Sequence, residues 1–472
     1  MKTEQIDAVV VGAGPGGYAA AIRLAQLGVR TLCVDRYGAG GVCLNVGCIP
    51  SKALISAAKT YEKLSHASEL GIDFGSVSMD LSRMLAWKQG VVTKLTRGIR
   101  QLCKGNGVDL RQGTAHLTGP GCLRVQPADG AEAYEVRANS IIIATGSRPV
   151  EVPGFAFDGE VVVSSTGALS FSEVPDKLLV VGGGYIGLEL GTVWAKLGSE
   201  VTVVEMTKQL LPGFDRDLVQ VVGRKLRKRA VKAHLETRAA SWRPRDGGGA
   251  IVQLEPKSGK NLEVEADRIL VTVGRRPNTE ELGLESLGVT MDGPFIAVDE
   301  RLRTNVDGLY AIGDVVGQPM LAHKASKEAD VVAEVITGHK SAVMDVRTIP
   351  AVVFTDPEIA SAGASEMDLK ASGQAYRSGK FPLAALGRAL TNHDTDGFVK
   401  MICAEDSGDL LGVSIVGNGA SDLISEAALA IEMGAHIDDL SLTVHPHPTL
   451  GEALMEAAKV VTGEAVHTLQ RK

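Results

Sequence analysis

The sequence predicts an α/β fold in which one strand–turn–helix–strand unit occurs twice. The chain has 472 residues, a length that suits about three domains. Its 55 glycines indicate many tight turns where backbone approaches backbone or a ligand. Two segments, one starting at Gly12 and the other at Gly182, show the same glycine spacing and the same order of predicted elements. This repeat is the clearest feature of the chain's organisation.

Each copy of the repeat runs from an apolar strand through a glycine turn and a helix to a second strand that ends in an acidic residue. In the first copy these parts are residues 8–11, the turn Gly12-Ala13-Gly14-Pro15-Gly16-Gly17, residues 18–27, and residues 31–34 before Asp35. In the second copy they are residues 178–181, the turn Gly182-Gly183-Gly184-Tyr185-Ile186-Gly187, residues 188–197, and residues 201–204 before Glu205. The acid follows the first glycine at the same distance in both copies.

The chemistry of dinucleotide binding accounts for this spacing. The first glycine permits the tight turn, the second lets the backbone approach a pyrophosphate, and the third lets the helix pack closely on the strand. The helix N-terminus offers free N–H groups to the anion, and the acid accepts hydrogen bonds from ribose hydroxyls. One such motif is a weak signal, but two in the required context predict two Rossmann-like dinucleotide sites. The predicted contacts are Gly12, Gly14, Gly17 and Asp35 in the first site, and Gly182, Gly184, Gly187 and Glu205 in the second.

Two dinucleotide sites in one chain suggest electron transfer between two cofactors, such as FAD and NAD(P). At the second site Glu205 is followed by Met206 and Thr207, with no arginine. A 2′-phosphate would be repelled by Glu205 and would favour an arginine. The second site is therefore predicted to bind NAD rather than NADP.

Cys43 and Cys48 lie close together, whereas the other four cysteines are scattered. Structural disulfides are rare in a reducing compartment, so a close pair there favours catalysis or metal binding. No second cysteine pair and no histidine at zinc spacing supports a metal. Residues five apart on a regular helix are separated by about 7.5 Å in rise, and a disulfide needs Cα atoms roughly 4.4–6.8 Å apart. The pair can bond only if the helix is distorted or has not yet begun; Gly47 and Pro50 favour such irregularity, and two free core cysteines remain the alternative.

His447 is the candidate general base. Pro446 and Pro448 fix the backbone around it, and Glu452 follows just before a predicted helix over residues 453–461. A carboxylate bonded to one ring nitrogen would set the tautomer and raise the basicity of the other nitrogen. From spacing alone, a catalytic histidine and a solvated surface histidine are about equally good interpretations.

Charge and hydrophobicity argue against nucleic-acid binding, export and membrane insertion. The formal charge is −7, and the densest basic run, residues 224–229, is predicted to be the solvated face of a helix. No apolar run approaches the roughly 20 residues that span a bilayer. Glu4 and Asp7 interrupt the N-terminus, so no signal peptide is predicted, and a cytoplasmic location is expected.

These residues make the chain resemble the pyridine nucleotide–disulfide oxidoreductases over nearly its whole length. The most specific matches are Gly41-Val42-Cys43-Leu44-Asn45-Val46-Gly47-Cys48-Ile49-Pro50-Ser51-Lys52, and His447-Pro448-Thr449 with Glu452. Supporting matches are Ala144-Thr145-Gly146-Ser147-Arg148-Pro149, Gly274-Arg275-Arg276-Pro277-Asn278 and Tyr310-Ala311-Ile312-Gly313-Asp314. Within that family the chain looks most like the members that oxidise dihydrolipoyl groups with NAD⁺.

The resemblance implies a set of cofactor contacts. FAD would occupy the first site, with Asp35 on the adenosine ribose and Lys52 near the flavin; its other implied contacts are Ala115, Gly146, Ser147, Asp314 and Ala322. NAD would occupy the second site, with Ala239 and Gly274 in contact through their backbone. Glu189 would lie near the nicotinamide and pair with Lys52. No metal is expected.

The resemblance also implies a reaction. Cys43 and Cys48 would form a redox-active disulfide in which Cys43, expected to be the more accessible sulfur, is attacked by a substrate thiolate. Cys48 would face the flavin. His447, held by Glu452, would take the substrate proton and would serve the disulfide of the partner subunit.

The predicted architecture is two Rossmann-like domains, for FAD and NAD, followed by a C-terminal α+β dimerisation domain. The predicted boundaries are 1–150 for the FAD domain with the redox disulfide, 151–275 for the NAD domain, 276–345 for a central domain that completes the FAD site, and 346–472 for the interface domain. The implied partners are a second copy of the chain and the lipoyl domains of a 2-oxo acid dehydrogenase E2 or the glycine cleavage H protein.

Two alternatives remain. A glutathione-reductase-like or mercuric-reductase-like enzyme would prefer NADPH, against which Glu205 argues, and the mercury enzyme also needs a C-terminal cysteine pair that this chain lacks. A subunit that keeps FAD without turnover would not need the set Cys43, Cys48, His447 and Glu452.

Three positions depart from the family's usual pattern. Asp35 replaces a glutamate, Ala329 stands where glycine is common, and Tyr185 occupies a slot that is often aliphatic. Relatives with tyrosine at that slot use the ring as a lid over the nicotinamide pocket. The hypothesis is that Tyr185 gates the entry of NAD.

Overall fold

The computed structural model describes residues 3–73 and 75–469 and confirms the α/β fold with its duplicated unit. The first unit contains β1 (Thr3–Val11), α1 (Pro15–Gln26), β2 (Thr31–Asp35), α2 (Gly41–Val46), α3 (Cys48–Ser65), α4 (Leu81–Gly105), β3 (Asp109–Gly119), β4 (Cys122–Pro127), β5 (Tyr134–Ile143) and β6 (Ser147–Pro149). A short 3-10 helix covers Ala67–Leu70.

The sheet of the first unit is mainly parallel. Strands β3, β2, β1 and β5 lie side by side in that order, and β4 pairs antiparallel with both β3 and β5. Residues Ala8, Val9 and Val10 of β1 are fully buried. A continuous apolar run of this kind is what a strand needs when both faces of its sheet are covered.

The second unit repeats this plan. It contains β7 (Val162–Val163), α5 (Ser165–Ala168), β8 (Lys177–Val181), α6 (Tyr185–Leu197), β9 (Glu200–Val204), α7 (Arg216–Lys228), β10 (Lys232–His234), β11 (Thr237–Pro244), β12 (Ala250–Pro256), β13 (Leu262–Ala266) and β14 (Arg268–Val271). A parallel sheet has the order β10-β9-β8-β14-β7, and β11, β12 and β13 form a separate antiparallel sheet. On α7, Arg224, Arg227 and Lys228 are exposed, as the sequence predicted, but Lys225 and Arg229 of the same basic run are partly buried in ion pairs with carboxylates.

The chain then returns to the first unit. This part contains β15 (Arg275–Pro277), β16 (Met291–Asp292), β17 (Phe295–Ile296), β18 (Leu309–Ala311) and α8 (Ala322–Ile336), with 3-10 helices at Glu285–Leu287 and Gly313–Val316. Strand β18 pairs in parallel with β5, and α8 packs against α1. The region 276–345 thus adds a strand and a helix to the first unit, and its only sheet of its own in the described chain is the two-stranded β16–β17.

The C-terminal part is an α+β unit. It contains β19 (Ala351–Val353), β20 (Glu358–Gly363), α9 (Glu366–Ser372), β21 (Tyr376–Pro382), α10 (Gly387–Thr391), β22 (Phe398–Ala404), β23 (Leu410–Gly417), α11 (Ala420–Glu432), α12 (Ile437–Leu442) and α13 (Glu452–Thr462), with a 3-10 helix at Leu383–Ala385. The antiparallel sheet has the order β19-β20-β23-β22-β21, and α11 and α13 pack on it.

Both motif helices begin earlier than the sequence predicted. Helix α1 begins at Pro15 rather than residue 18, and α6 begins at Tyr185 rather than residue 188. The last glycine of each motif is therefore part of the first helical turn. Proline is well suited to the first position of α1, because its missing N–H would have no partner there.

Candidate active site

The first glycine turn leaves space for a ligand at one position and none at the other two. Gly12 has φ +110°, and an added Cβ would lie 2.2 Å from the carbonyl oxygen of Ala144. A Cβ on Gly17 would lie 1.9 Å from the carbonyl oxygen of Gly12. At Gly14, by contrast, a Cβ would meet nothing within 4 Å. The backbone at Gly14 can therefore be approached closely by a pyrophosphate, which is the fit that a dinucleotide requires.

The second glycine turn has the same geometry. Gly182 has φ +106°, and an added Cβ would lie 2.6 Å from the carbonyl oxygen of Thr272. A Cβ on Gly187 would lie 2.3 Å from the carbonyl oxygen of Gly182, while Gly184 again faces open space. The residues present thus fit two dinucleotides.

The two acids also make matching contacts. Asp35 accepts hydrogen bonds at 2.7 Å from the backbone N–H groups of Ala13, Tyr37 and Gly38. Glu205 is buried and accepts bonds from the N–H groups of Gly183 (2.7 Å) and Thr207 (2.8 Å). In each unit the acid is held against its glycine turn, where a ribose would lie beside the bound pyrophosphate.

Alanine substitutions at Gly184 and Gly187 should separate ligand binding from packing. Gly187→Ala is expected to lower the free energy of unfolding by roughly 1–3 kcal/mol, because the added methyl forces the helix away from the strand. Gly184→Ala is expected to leave unfolding near the wild-type value and to weaken NAD⁺ binding. Chemical denaturation and NAD⁺ titration measure the two effects. Equal effects of both variants on stability would contradict this division.

One cleft, with a cavity volume of about 220 Å³, connects the first glycine turn to the start of α6. The predicted site residues that line it are Gly14, Gly17, Asp35, Cys43, Cys48, Lys52, Gly146, Ser147, Tyr185, Glu189, Asp314 and Ala322.

The helix is broken between the two cysteines, as the sequence predicted. Helix α2 carries Cys43 and ends at Val46, and α3 begins at Cys48. Gly47 between them has φ −139° and ψ −114°, far from helical values. Both sulfurs are free in the structure. The break brings Cys43 and Cys48 within hydrogen-bonding contact, which a regular helix would prevent.

The two thiols have opposite shifts in acidity. The hydrogen bond from Cys43 is the main cause that lowers the pKa of Cys48 to about 7, and the charge of Lys52 lowers it further against the effect of burial. That hydrogen bond and burial raise the pKa of Cys43. Cys48 is therefore the sulfur that ionises first. Cys43 is half-buried and Cys48 is exposed toward the cleft that a flavin would fill, so the greater accessibility of Cys43 to a substrate stays a prediction.

Lys52 is fixed at the base of the cleft by a buried acid. Its Nζ lies 2.7 Å from Oε2 of Glu189, so the predicted ion pair is present. Only 4% of the Glu189 side chain is exposed, and its other oxygen accepts a bond of 2.9 Å from the N–H of Phe354. The Lys52 Nζ also lies 4.5 Å from the centre of the Phe354 ring. Glu189 on α6 and Phe354 after β19 thus hold Lys52 of α3 beside the cysteines.

Ser147 and Asp314 meet at the side of the cleft, where the chain crosses between the units. The Ser147 hydroxyl donates a hydrogen bond to Asp314. Arg275 donates two bonds of 2.7 Å to Ser147, one to its hydroxyl and one to its carbonyl. Sequence reasoning included Arg275 in a motif but gave it no role, because its partner lies 128 residues away in the chain.

A buried ion pair, which was not predicted from the sequence, holds the turn before Asp314 in place. The Nζ of Lys324 lies 2.9 Å from Oε1 of Glu328, and both side chains are at most 6% exposed. Glu328 accepts a 2.6 Å bond from the N–H of Gly313, and Lys324 donates to the Gly313 carbonyl at 3.1 Å. Burial raises the pKa of Glu328. The pair binds the backbone of Gly313 and so fixes the turn that carries Asp314. In the sequence, the spacing of Lys324 and Glu328 by four residues on a helix could have indicated this ion pair.

His447 and Glu452 form the expected pair outside the cleft. The Nδ1 of His447 lies 2.9 Å from Oε1 of Glu452, and the N–H of Thr449 donates to Oε2 at 2.8 Å. Against the effect of burial, these two bonds lower the pKa of Glu452. Glu452 is therefore ionised at neutral pH and orients the ring. The His447 side chain is 77% exposed, and the described residues that line the cleft do not include it.

The remaining predicted contacts occupy different places. Tyr185 begins α6, is 39% exposed and lines the cleft where the two units meet. Ala239 lies at a β-bulge of β11 and is buried, and Gly274 has φ +139° just before β15. Ala115 lies on β3 and is not among the described residues that line the cleft.

Two further properties bear on the site. Within residues 3–73 and 75–469, no group of three or more His, Cys, Asp or Glu side chains is placed to hold a metal ion.

One stretch, Gly41–Ser65, is long and apolar enough to cross a membrane by length and composition. It contains α2 and α3, is broken at Gly47, packs against α4 and α6, and carries the cysteine pair. We interpret it as an internal helix pair of the fold.

Comparison with known proteins gives consistent results. Residues 6–329 match the family described as pyridine nucleotide-disulphide oxidoreductase, and residues 349–458 match its dimerisation domain. Dihydrolipoyl dehydrogenase from Geobacillus stearothermophilus is 47% identical, over 99% of this chain and 98% of the relative. The enzyme of the same name from Staphylococcus aureus is 49% identical over 98% of both chains.

Solved structures resemble the whole chain as well. LpdA from Mycobacterium tuberculosis is 31% identical, with a TM-score of 0.89 over 96% of this chain and 99% of that one. The flavoprotein disulfide reductase RclA from Escherichia coli is 27% identical, with a TM-score of 0.85 over 96% of this chain and all of that one.

Proposed function

The chain belongs to the pyridine nucleotide-disulphide oxidoreductase family, and from this we propose that it catalyses the dihydrolipoyl dehydrogenase reaction. It is an oxidoreductase, and its cofactors are FAD and NAD. In that reaction a dihydrolipoyl dithiol is oxidised and NAD⁺ is reduced. The observation that carries the proposal is the contact between Cys43 and Cys48 at a helix break, inside a cleft that begins at a dinucleotide turn.

The chain's own residues supply the thiol chemistry. His447, oriented by Glu452, accepts the proton of a substrate thiol. The resulting thiolate attacks Sγ of Cys43 in the oxidised pair, a mixed disulfide forms, and Cys48 leaves as a thiolate. The second substrate thiol then attacks the substrate sulfur of the mixed disulfide, closes the lipoyl ring and releases Cys43, which takes up the proton that this thiol loses. The low pKa of Cys48 suits it to leave and to remain ionised.

The lining of the cleft and the second glycine turn support a set of cofactor contacts. When bound, FAD would supply the two-electron redox chemistry that links the cysteine pair to NAD⁺. Asp35, Ser147 and Asp314 would hold FAD along the cleft, and Glu205 would hold the NAD ribose. Lys52 would lie against the flavin ring, held in position by its ion pair with Glu189.

The partners follow from the same proposal. The C-terminal part is the family's dimerisation domain, so His447 of one subunit would serve the cysteine pair of the other. The natural substrate would be a lipoyl group on the E2 of a 2-oxo acid dehydrogenase complex or on the glycine cleavage H protein. The reaction would take place in the cytoplasm.

A comparison of two disulfide substrates distinguishes this proposal from its nearest rivals. The purified protein is expected to reduce lipoamide with NADH and to show little reduction of glutathione disulfide with NADPH. Glu205 lies where a 2′-phosphate would be repelled, so the nucleotide preference should be strong. Preference for NADPH and glutathione disulfide would replace the proposal with a glutathione-reductase-like function.

Tyr185 is proposed to gate the nicotinamide side of the cleft. It follows Gly184 directly and lines the cleft between the two dinucleotide turns. Tyr185→Val is therefore expected to change the dissociation constant of NAD⁺ and the turnover number, while Tyr185→Phe should keep the ring and behave like the wild type. Steady-state kinetics and NAD⁺ titration provide the measurement. Unchanged values in Tyr185→Val would remove the gating role.

A further inference from the structure

Helix α4 (Leu81–Gly105) has an unusual distribution of charge. It contains the basic residues Arg83, Lys88, Lys94, Arg97, Arg100 and Lys104 and no acidic residue, in a chain whose net charge is −7. Only Lys88 is buried, where its Nζ donates to the carbonyl of Leu169 at 2.6 Å. The helix therefore presents a strong local positive charge on an acidic protein.

Four of these basic residues form a stripe. At about 100° per residue, Lys94, Arg97, Arg100 and Lys104 fall within roughly a third of the helix circumference. All four are exposed, and none has an ion pair with a carboxylate among residues 3–73 and 75–469. Like charges three and four residues apart destabilise a helix, so the stripe is unfavourable for the isolated chain. A partner of opposite charge would relieve this repulsion.

Exposed apolar side chains lie beside the basic stripe. Trp87 is 50% exposed, Leu95 41% and Leu102 55%. Apolar anchors beside unpaired charges are typical of a surface that docks another protein.

The helix that carries the stripe lies next to the helices that carry the cysteine pair. Helix α4 packs against both α2 and α3, the helices that carry Cys43 and Cys48. The Thr96 hydroxyl lies 3.4 Å from Oδ1 of Asn45, which stands between the two cysteines in the chain. A macromolecule bound on α4 would therefore be positioned close to the sulfurs that its dithiol must reach.

We propose that the basic stripe of α4 is the docking surface for the protein domain that carries the dihydrolipoyl group, and that this domain has acidic side chains around its lipoyl-lysine. The proposal rests on the proposed function, because it requires a dithiol on a protein carrier. The positive stripe attracts the acidic carrier and raises the rate of productive encounter, an effect that salt screens. Free dihydrolipoamide is uncharged and gains nothing from the stripe.

Two synthetic peptides test the proposal, each with a central dihydrolipoyl-lysine flanked by four glutamates or by four lysines. At low ionic strength the wild-type holoenzyme should oxidise the glutamate peptide with a kcat/KM roughly tenfold higher than the lysine peptide, and salt should remove the difference. The triple variant Lys94→Gln, Arg97→Gln, Lys104→Gln should lose the preference and keep wild-type kinetics with free dihydrolipoamide. A matched triple variant on α7, Arg224→Gln, Arg227→Gln, Lys228→Gln, should keep the preference.

Each other outcome has a distinct meaning. No oxidation of free dihydrolipoamide by the wild type would refute the proposed function itself. Oxidation of free dihydrolipoamide without discrimination between the peptides, or discrimination that survives in the α4 variant, would refute the docking surface alone. Dissociation of the α4 variant into monomers would show that a second copy covers the stripe. Sedimentation of the wild type with phosphatidylserine vesicles, lost in the α4 variant, would assign the stripe to a membrane surface.

Discussion

Cys48→Ser is expected to abolish dihydrolipoamide oxidation, with a loss of at least roughly 10³-fold, because a serine cannot form the disulfide that accepts the substrate's electrons. The same variant should lack the long-wavelength absorption that a thiolate beside the flavin gives in the reduced wild-type protein. Cys48 is assigned this place because it is exposed to the cleft and because its pKa is lowered to about 7. The band should grow as the pH rises through about 7, since the thiolate exists above that pKa.

Cys43→Ser is the matched control. It should lose turnover to the same extent, since the disulfide is again absent, but it should keep a long-wavelength band from the Cys48 thiolate. The serine hydroxyl can still donate a hydrogen bond to Cys48. A band that persists in Cys48→Ser and disappears in Cys43→Ser would reverse the assigned order of the two sulfurs.

The second large effect is expected for His447→Gln. Loss of the general base should lower dithiol oxidation by roughly 10²–10⁴-fold, while NADH oxidation by an artificial acceptor, which needs no thiol deprotonation, should remain near the wild-type rate. The His447 side chain is 77% exposed, so glutamine should be tolerated structurally. Equal loss of both activities would indicate damage to the fold rather than loss of a base.

Mixed dimers show which subunit's histidine acts. Cys43→Ser and His447→Gln chains are each expected to be inactive in dithiol oxidation when alone. A dimer with one of each should regain one working site, because the intact His447 of the first chain serves the intact cysteine pair of the second. No recovery in verified mixed dimers would mean that the base and the cysteines act within one chain.

Local motifs were predictable from the sequence because their chemistry depends on neighbours in the chain. The glycine turns at Gly12 and Gly182 and the break at Gly47 are determined by a few adjacent residues, and the structure places them as expected. The starts of α1 and α6 were placed too late, because glycines that form the first helical turn were assigned to the preceding loop.

Contacts between distant parts of the chain were not predictable in the same way. Phe354 binds Glu189 across 165 residues, and Arg275 binds Ser147 across 128. No periodicity in the sequence specifies such pairs, and Lys52–Glu189 was expected only through the family resemblance. The accessibility of the two sulfurs likewise depends on the shape of a cleft formed by several segments, which no local motif specifies.

The most direct test of the central claim is NADH formation by the purified yellow protein when it is given NAD⁺ and dihydrolipoamide. The account predicts rapid NADH formation in the wild type and none in the Cys43→Ser, Cys48→Ser double variant with bound flavin. A wild-type protein that holds FAD and binds NAD⁺ but forms no NADH from dihydrolipoamide would contradict the account. NADH formation that survives in the double variant would show that electrons bypass the cysteine pair.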